Sequence, residues 1–108
     1  MDFKEYQKLA MRTKNKQLIK DQQLLNAALG LNGEAGELAD EIKKIFFHGH
    51  GLNKDKLIKE TGDILWYIAL LADAIGVDME TIAEKNIEKL KKRYPEGFSS
   101  ERSIHRQD

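Results

Sequence analysis

Two pairs of acidic residues stand out in this 108-residue sequence, because the members of each pair are three positions apart. Glu34 and Glu37 form the first pair, and Glu60 and Asp63 form the second. Residues three apart on an α-helix are neighbours on one face. Two such helices side by side would gather four carboxylates that repel one another unless some stay protonated or a cation neutralises them. Since Mg²⁺ and Mn²⁺ prefer oxygen ligands, the spacing predicts a divalent-metal site between two helices.

The position of each pair relative to the apolar residues strengthens this prediction. A helical projection at about 100° per residue places both pairs along the border of an apolar stripe. The stripe beside Glu34 contains Leu31, Leu38, Ile42 and Ile45, and the stripe beside Glu60 contains Leu57, Ile64, Ile68, Leu71 and Ile75. A merely solvated face would carry its acids opposite the stripe. Surface decoration by Glu and Lys is the alternative, but two pairs with the same layout favour the metal site.

Hydrophobic periodicity predicts an all-α fold, a compact bundle of about four helices that assembles into a larger bundle with partner subunits. The expected helices cover about residues 2–14, 18 or 21 to 48, 54–76, and 79 to 93 or 94. Asn53 and Asp78 are the expected N-caps of the last two, and Gly49 is the expected residue after the second. Residues 1–94 are predicted to form one helical domain. The tail, residues 95–108, is expected to be loosely ordered or packed on a neighbouring subunit.

Composition excludes several classes of function. Lys and Arg together number 18, as do Asp and Glu, so no overall field draws the chain to nucleic acid or to a membrane. The absence of cysteine excludes disulfides, thiolate zinc sites and cysteine nucleophiles. The charged N-terminus lacks an apolar signal region, so we expect a cytoplasmic protein. His48 and His50 lie in a glycine-flanked stretch that is more typical of a solvated turn than of a metal site.

Two features leave alternatives open. Gly30, Gly33 and Gly36 lie within the second predicted helix, where glycine is unfavourable. They indicate a helix break, a close helix contact, or room for a ligand beside the backbone. Trp66 and Leu70 lie far from the main stripe of the third helix and need cover. We expect a partner subunit there, or else a pocket for a flat ring.

The acidic pattern, with 22 residues between Glu37 and Glu60, resembles the MazG-like all-α nucleoside triphosphate pyrophosphohydrolases. The resemblance spans nearly the whole chain, and its most similar segments are residues 33–37, 62–67 and 86–90. Residues 93–98, followed by Arg102 and Ser103, are similar to its short single-domain members from bacteria and phages. Many members carry a Glu doublet ahead of the first x-x-Glu, whereas in this chain Gly33 occupies the first place of that doublet and Glu34 the second.

The resemblance implies hydrolysis of a nucleoside triphosphate, a deoxynucleotide or a non-standard one, to the monophosphate and pyrophosphate. It also implies that the four acids, Glu34, Glu37, Glu60 and Asp63, hold Mg²⁺, with Mn²⁺ a possible substitute. Glu34 or Glu37 would be the catalytic base. Asn86, Lys89 and Arg93 would contact the phosphates, and Tyr67 and Trp66 would border the substrate. The family further implies a homodimer or homotetramer.

Two other functions compete with this one. The first is a non-catalytic helical interaction module built on the same scaffold. Intact acids argue against it, because a module has no need for unpaired carboxylates at a helix seam. The second is the related phosphoribosyl-ATP pyrophosphohydrolase, which the short-type ending at residues 93–98 disfavours.

Overall fold

The computed structural model describes residues 1–106, and helices dominate that part of the chain. The α-helices are α1 (Phe3–Ala10), α2 (Lys20–Phe47), α3 (Lys54–Ala74), α4 (Met79–Arg93) and α5 (Ser100–Ile104), with a 3-10 turn at Met11–Thr13. The prediction of an all-α fold is confirmed, since no strand forms among the described residues. In the predicted tail, residues 100–104 form α5, and residues 107 and 108 lie outside the described part.

The helix ends follow the local capping chemistry. The side chain of Asn53 accepts a hydrogen bond from the backbone N–H of Lys56 at 3.1 Å, and Asp78 accepts one from Thr81 at 2.8 Å. These bonds satisfy N–H groups that have no partner within the helix. Gly49 has φ of +73° just beyond α2, a conformation that glycine adopts without strain. Both predicted N-caps and the predicted helix stop are therefore confirmed.

Helices α2 and α3 form an antiparallel hairpin whose register is fixed by two contacts. In the first half of α2, Gly30 lies against the ring of Tyr67 on the second half of α3. Near the end of α2, Glu41 Oε1 and Lys56 Nζ on the first turn of α3 form an ion pair at 3.0 Å. The two contacts are separated by the same number of residues on α2 and on α3. The register of the two helices is therefore the same at both contacts.

The core lies around the second half of α3. Ala69, Leu70 and Ala72 have no exposed surface, and Met79 of α4 packs beside Ala69 and Ala72. The N-terminal segment also covers this region, because Gln7 links to the backbone carbonyl of Val77 and the N–H of Met79. The expectation that Leu70 needs a partner subunit for cover is therefore wrong, since the chain buries it alone.

Trp66 is likewise covered in part by its own chain. Its indole Nε1 donates to Thr13 Oγ1 at 2.8 Å and to the carbonyl oxygen of Ala10 at 3.1 Å. A buried indole usually finds such a partner for its N–H. The 3-10 turn thus meets the tryptophan where a partner or a flat ring was expected.

One face of the hairpin stays open. Several large apolar residues of α2 are mostly exposed, namely Leu25 at 60%, Leu29 at 64%, Phe46 at 76% and Phe47 at 79%. The radius of gyration is 17.0 Å, above the roughly 13 Å expected for a globular chain of this length. The buried face of α2 also differs in part from the predicted stripe beside Glu34, because Ile42 of that stripe is exposed, at 41%. Within residues 1–106, no helix has both the length and the apolar composition needed to cross a membrane.

Candidate active site

The register of the hairpin brings both acidic pairs to one seam. Glu34 is one turn after Gly30, and Asp63 is one turn before Tyr67, so these two acids lie at the same level. Glu37 is one turn before Glu41, and Glu60 is one turn after Lys56, so these two also lie level. The quartet therefore occupies two turns of the α2–α3 seam, bracketed by the tyrosine ring and the ion pair.

The electrostatics show that the other three carboxylates act on Glu34. Partial desolvation and the neighbouring Glu37, through its charge and a side-chain hydrogen bond, raise the pKa of Glu34, with smaller contributions from Asp63 and Glu60. Glu34 and Glu60 are half-buried, whereas Glu37 and Asp63 are exposed. The site therefore has two inner carboxylates and two at its rim, and its negative charge is not internally balanced.

Glu60 carries the clearest sign of a missing ligand. Its Oε2 atom is buried and has no hydrogen-bond partner in the described chain. The nearby cation Lys44 is bound to Asp40 at 3.0 Å, and this bond, more than Glu41 or Glu60, raises the pKa of Lys44. Buried polar atoms are rarely left unpaired, and a carboxylate oxygen is a ligand that Mg²⁺ or Mn²⁺ accepts. The quartet thus fits a hard divalent cation by donor type and charge.

The seam does not contain a finished coordination shell. Among residues 1–106, no three acidic, histidine or cysteine side chains converge closely enough to form a metal-binding group. His48 and His50 are exposed beyond the end of α2, as expected for a solvated turn. The carboxylates therefore provide oxygen donors of the right kind, but their side chains do not converge on one metal position.

We expect the raised pKa of Glu34 to make the metal-free protein lose stability as the pH rises. The folded chain binds this proton more tightly than the unfolded chain does, so the contribution is present at low pH and is lost as the pH passes the raised pKa. In EDTA, thermal melts from about pH 4 to about pH 7 should show Glu34→Gln gaining stability over the parent chain. Glu88→Gln, an exposed acid of α4, is the control. If the melting temperatures of all three proteins changed with pH in the same way, the coupling between Glu34 and the other carboxylates would be contradicted.

Tyr67 forms the wall of the seam next to Glu34 and Asp63. Its ring lies against the backbone of Gly30 and meets the Trp66 ring edge-on, with centroids 5.0 Å apart. The absence of a side chain at Gly30 therefore allows a close contact between the backbone of α2 and the ring of Tyr67. Gly33 and Gly36, by contrast, have open space where a Cβ would lie. Helix α2 runs through all three glycines without a break.

Replacing Gly30 by Ala should destabilise the fold by about 1–3 kcal/mol, because the new Cβ overlaps the Cε1, Cζ and Cδ1 atoms of Tyr67. Gly62→Ala in α3 is the matched control, since nothing lies within 4 Å of its Cβ. That change should raise stability by up to about 1 kcal/mol through helix propensity. Urea unfolding measures both effects. The penalty should vanish in a Tyr67→Ala background, and its persistence there would rule out the ring as the cause.

Sequence patterns missed one residue of the site. Tyr6 of α1 is half-buried, and burial followed by the charge of Asp63 raises the pKa of its phenol. The tyrosine lies on the apolar face of α1, so its position alone indicated only core packing. The docking of α1 on α3 brings a phenol, which can donate or accept a hydrogen bond, near the rim carboxylate.

Asn86 and Lys89, two of the phosphate-contacting residues implied by the resemblance, are not bonded to the acids of the seam in the described part of the chain. Asn86 and Lys89 are exposed, and neither is hydrogen-bonded or ion-paired to an acid of α2 or α3 in the described structure. Only the first half of α4 packs on the core, through Met79 and Ile82. Arg93 lies at the end of α4, where it lines a separate cavity.

The fold and the candidate site define a class of protein: an all-helical hairpin that carries four carboxylates, oxygen donors of the kind a hard divalent cation accepts, along one seam. The sequence matches the MazG nucleotide pyrophosphohydrolase domain over residues 22–98. Since that match covers more than half of the chain, the chain belongs to the MazG nucleotide pyrophosphohydrolase family. The matched range contains all four acids, Asn86, Lys89 and Arg93.

Two curated relatives share this region. The chain is similar to the Gene 37 protein of Mycobacterium phage L5, with 41% identity over 73 residues that cover 64% of each chain. It is also similar to the Uncharacterized protein YvdC of Bacillus subtilis (strain 168), with 36% identity over 70 residues, 56% of this chain and 66% of YvdC. The chain thus spans just under two thirds of the length of either relative. No solved structure matches it.

Proposed function

We propose that the protein hydrolyses a nucleoside triphosphate, a deoxynucleotide or a non-standard one, to the monophosphate and pyrophosphate with the help of Mg²⁺. One observation carries this proposal: the buried and unpaired Oε2 of Glu60 faces a seam shared with three other carboxylates. Membership of the pyrophosphohydrolase family supports the reaction class.

The roles of the four acids follow from their exposure. Glu34 and Glu60, the inner pair, hold the cation, whose charge lets a negative seam accept a more negative triphosphate. Glu37, at the exposed rim, orients the attacking water and accepts its proton at a carboxylate oxygen. Asp63, also at the rim, shares the cation, and Tyr6 fixes its orientation. Tyr67 and Gly30 close the seam at one end and exclude bulk water from it.

A second copy of the chain completes the site in this proposal. The apolar face of α2 that carries Leu25, Leu29, Phe46 and Phe47 is mostly exposed, and exposed apolar surface of this kind is typical of protein–protein contact sites. Gly33 and Gly36 have open space, so a partner helix can approach α2 closely. Asn86 and Lys89 project from α4 without contacting their own seam, and they bind the phosphates held by the other subunit's carboxylates. The assembly is a homodimer or a homotetramer.

The test is a panel of common, deoxy and damaged nucleoside triphosphates, together with phosphoribosyl-ATP, assayed for pyrophosphate release with Mg²⁺ and with Mn²⁺. We expect pyrophosphate and monophosphate in equal amounts from at least one nucleotide, and none in EDTA. Release of inorganic phosphate alone would contradict the reaction. Silence across the panel with both ions would favour a non-catalytic interaction module, and turnover of phosphoribosyl-ATP alone would favour that related enzyme.

A further inference from the structure

A basic cavity lies at the carboxyl end of the described chain, and no residue of α2 or α3 lines it. The cavity has a volume of about 510 Å³ and lies between the last turn of α4 and helix α5. Its lining includes the cations Lys92, Arg93, Arg102 and Arg106, together with His105 and a single acid, Glu101. The volume lies within the range of small-molecule sites, and the charge of the lining favours an anion.

Specific contacts shape this cavity, so it is more than a collection of charges on a tail. The chain reverses after α4 at Gly97, whose φ is +95° and whose N–H donates to the Tyr94 carbonyl at 3.1 Å. The rings of Tyr94 and Phe98 pack with centroids 5.4 Å apart. Ser99 then caps α5 by accepting from the N–H of Arg102. The turn thereby brings Arg102 of α5, and Arg106 beyond the end of α5, opposite the cations that end α4.

The types of cation in the lining indicate which class of anion the cavity would bind. Three of the four are arginines, whose planar guanidinium groups bind two oxygens of one phosphate at once. The chain as a whole has no net charge, so this cluster is a local concentration of positive charge and not part of a general basic surface. Several cations around one cavity match several phosphate groups in a row better than a single anion.

We propose that this cavity binds a polyphosphate anion, either free pyrophosphate or the phosphate chain of a nucleotide. The site is separate from the carboxylate seam, and of the phosphate-contacting residues implied by the family resemblance it contains only Arg93. Binding here needs no divalent cation, because the protein supplies the positive charge itself. Binding at this cavity can therefore be tested independently of hydrolysis at the seam.

The test measures binding of inorganic tripolyphosphate to the full chain by calorimetry in EDTA, where the acidic seam repels the ligand. Lys92→Glu and Arg102→Glu should each weaken binding about tenfold, since a reversed charge faces a multivalent anion at close range. These residues are chosen because Arg93 and Arg106 also interact elsewhere in the chain. Lys91→Glu is the matched control: Lys91 is the neighbouring lysine of α4, but it lines a different hollow with Ile87 and Glu88.

Unchanged affinity for Lys91→Glu together with the two losses would support the site. Equal losses for Lys91→Glu and Lys92→Glu, or no binding by the parent chain, would overturn it. Tighter binding of a single-stranded oligonucleotide than of tripolyphosphate would also overturn it in favour of a nucleic-acid surface. Because these measurements use no metal and no turnover, a protein that bound tripolyphosphate but hydrolysed nothing would disprove only the proposed reaction.

A kinetic comparison separates the two sources of the ligand. If the cavity receives the phosphates of a substrate held in another subunit's seam, Lys92→Glu should raise KM about tenfold and Lys91→Glu should not. If it holds free polyphosphate instead, KM should stay unchanged while added pyrophosphate loses its effect on the rate in Lys92→Glu. Either pattern supports the site.

Discussion

Glu60→Gln should lower kcat by a factor of about 10² or more while the protein stays folded. The change keeps the size of the side chain but removes the inner negative charge that faces the cation. Its buried Oε2 atom has no protein partner to lose, so the fold should not suffer. Without metal, the variant should be at least as stable as the parent chain, because one of four mutually repelling carboxylates is gone. Turnover assays and thermal melts with and without Mg²⁺ measure these effects.

Asp55→Asn is the control on the same helix. Asp55 lies in the first turn of α3, is exposed, and pairs with Lys59 at 3.0 Å. Its loss should cost only a few tenths of a kcal/mol and leave turnover unchanged. The stabilisation that Mg²⁺ gives should shrink in Glu60→Gln and persist in Asp55→Asn. Parent-like turnover of Glu60→Gln at ordinary Mg²⁺ would remove the basis of the proposed site.

The four acids could be predicted from the sequence because the pattern that marks them lies within single helices. A spacing of three along a helix and a border with an apolar stripe place Glu34 and Glu60 without knowledge of the tertiary fold. Capping is equally local, so Asn53 and Asp78 could be assigned from their side-chain chemistry. The family resemblance supplied the expected reaction, which physical reasoning from spacing alone left open.

The remaining features depend on which helix packs where. The burial of Leu70 and the hydrogen bonds of Trp66 arise because α1 and the 3-10 turn fold back over α3, and no pattern within α3 records that. Tyr6 looked like core because its approach to Asp63 exists only after the same docking. Gly30 could not be told from Gly33 and Gly36 until the register brought Tyr67 against it.

The outward face of α2 shows a second limit of sequence periodicity. Leu25 and Leu29 are as apolar as the buried residues, so a projection cannot tell an intramolecular face from one that awaits another subunit. With α3 on one side of α2 and exposed apolar side chains on another, the described chain leaves an apolar face of α2 uncovered, which another subunit would cover in the proposed assembly. The position of Lys89, exposed and apart from its own carboxylates, agrees with this incompleteness.

Mixing two inactive variants should therefore restore activity. Glu60→Gln removes the carboxylate of a subunit's own seam, and in the proposed assembly Lys89→Ala removes a phosphate contact given to the other subunit. In a dimer that contains one of each, one site carries both defects and the other carries neither. One of the two sites in each mixed dimer is intact, so the purified mixed dimer should show about half of the parent activity.

The experiment co-expresses the two variants with different affinity tags, purifies the doubly tagged assembly and measures pyrophosphate release. A mixture of Glu60→Gln with Asp63→Asn is the control, because both changes disable the same seam and each site of a mixed dimer keeps one defect. Activity in the first mixture and none in the second would place Lys89 opposite the carboxylates of another subunit. If Lys89 instead served its own seam, every site in the first mixture would carry one defect, and no activity would return.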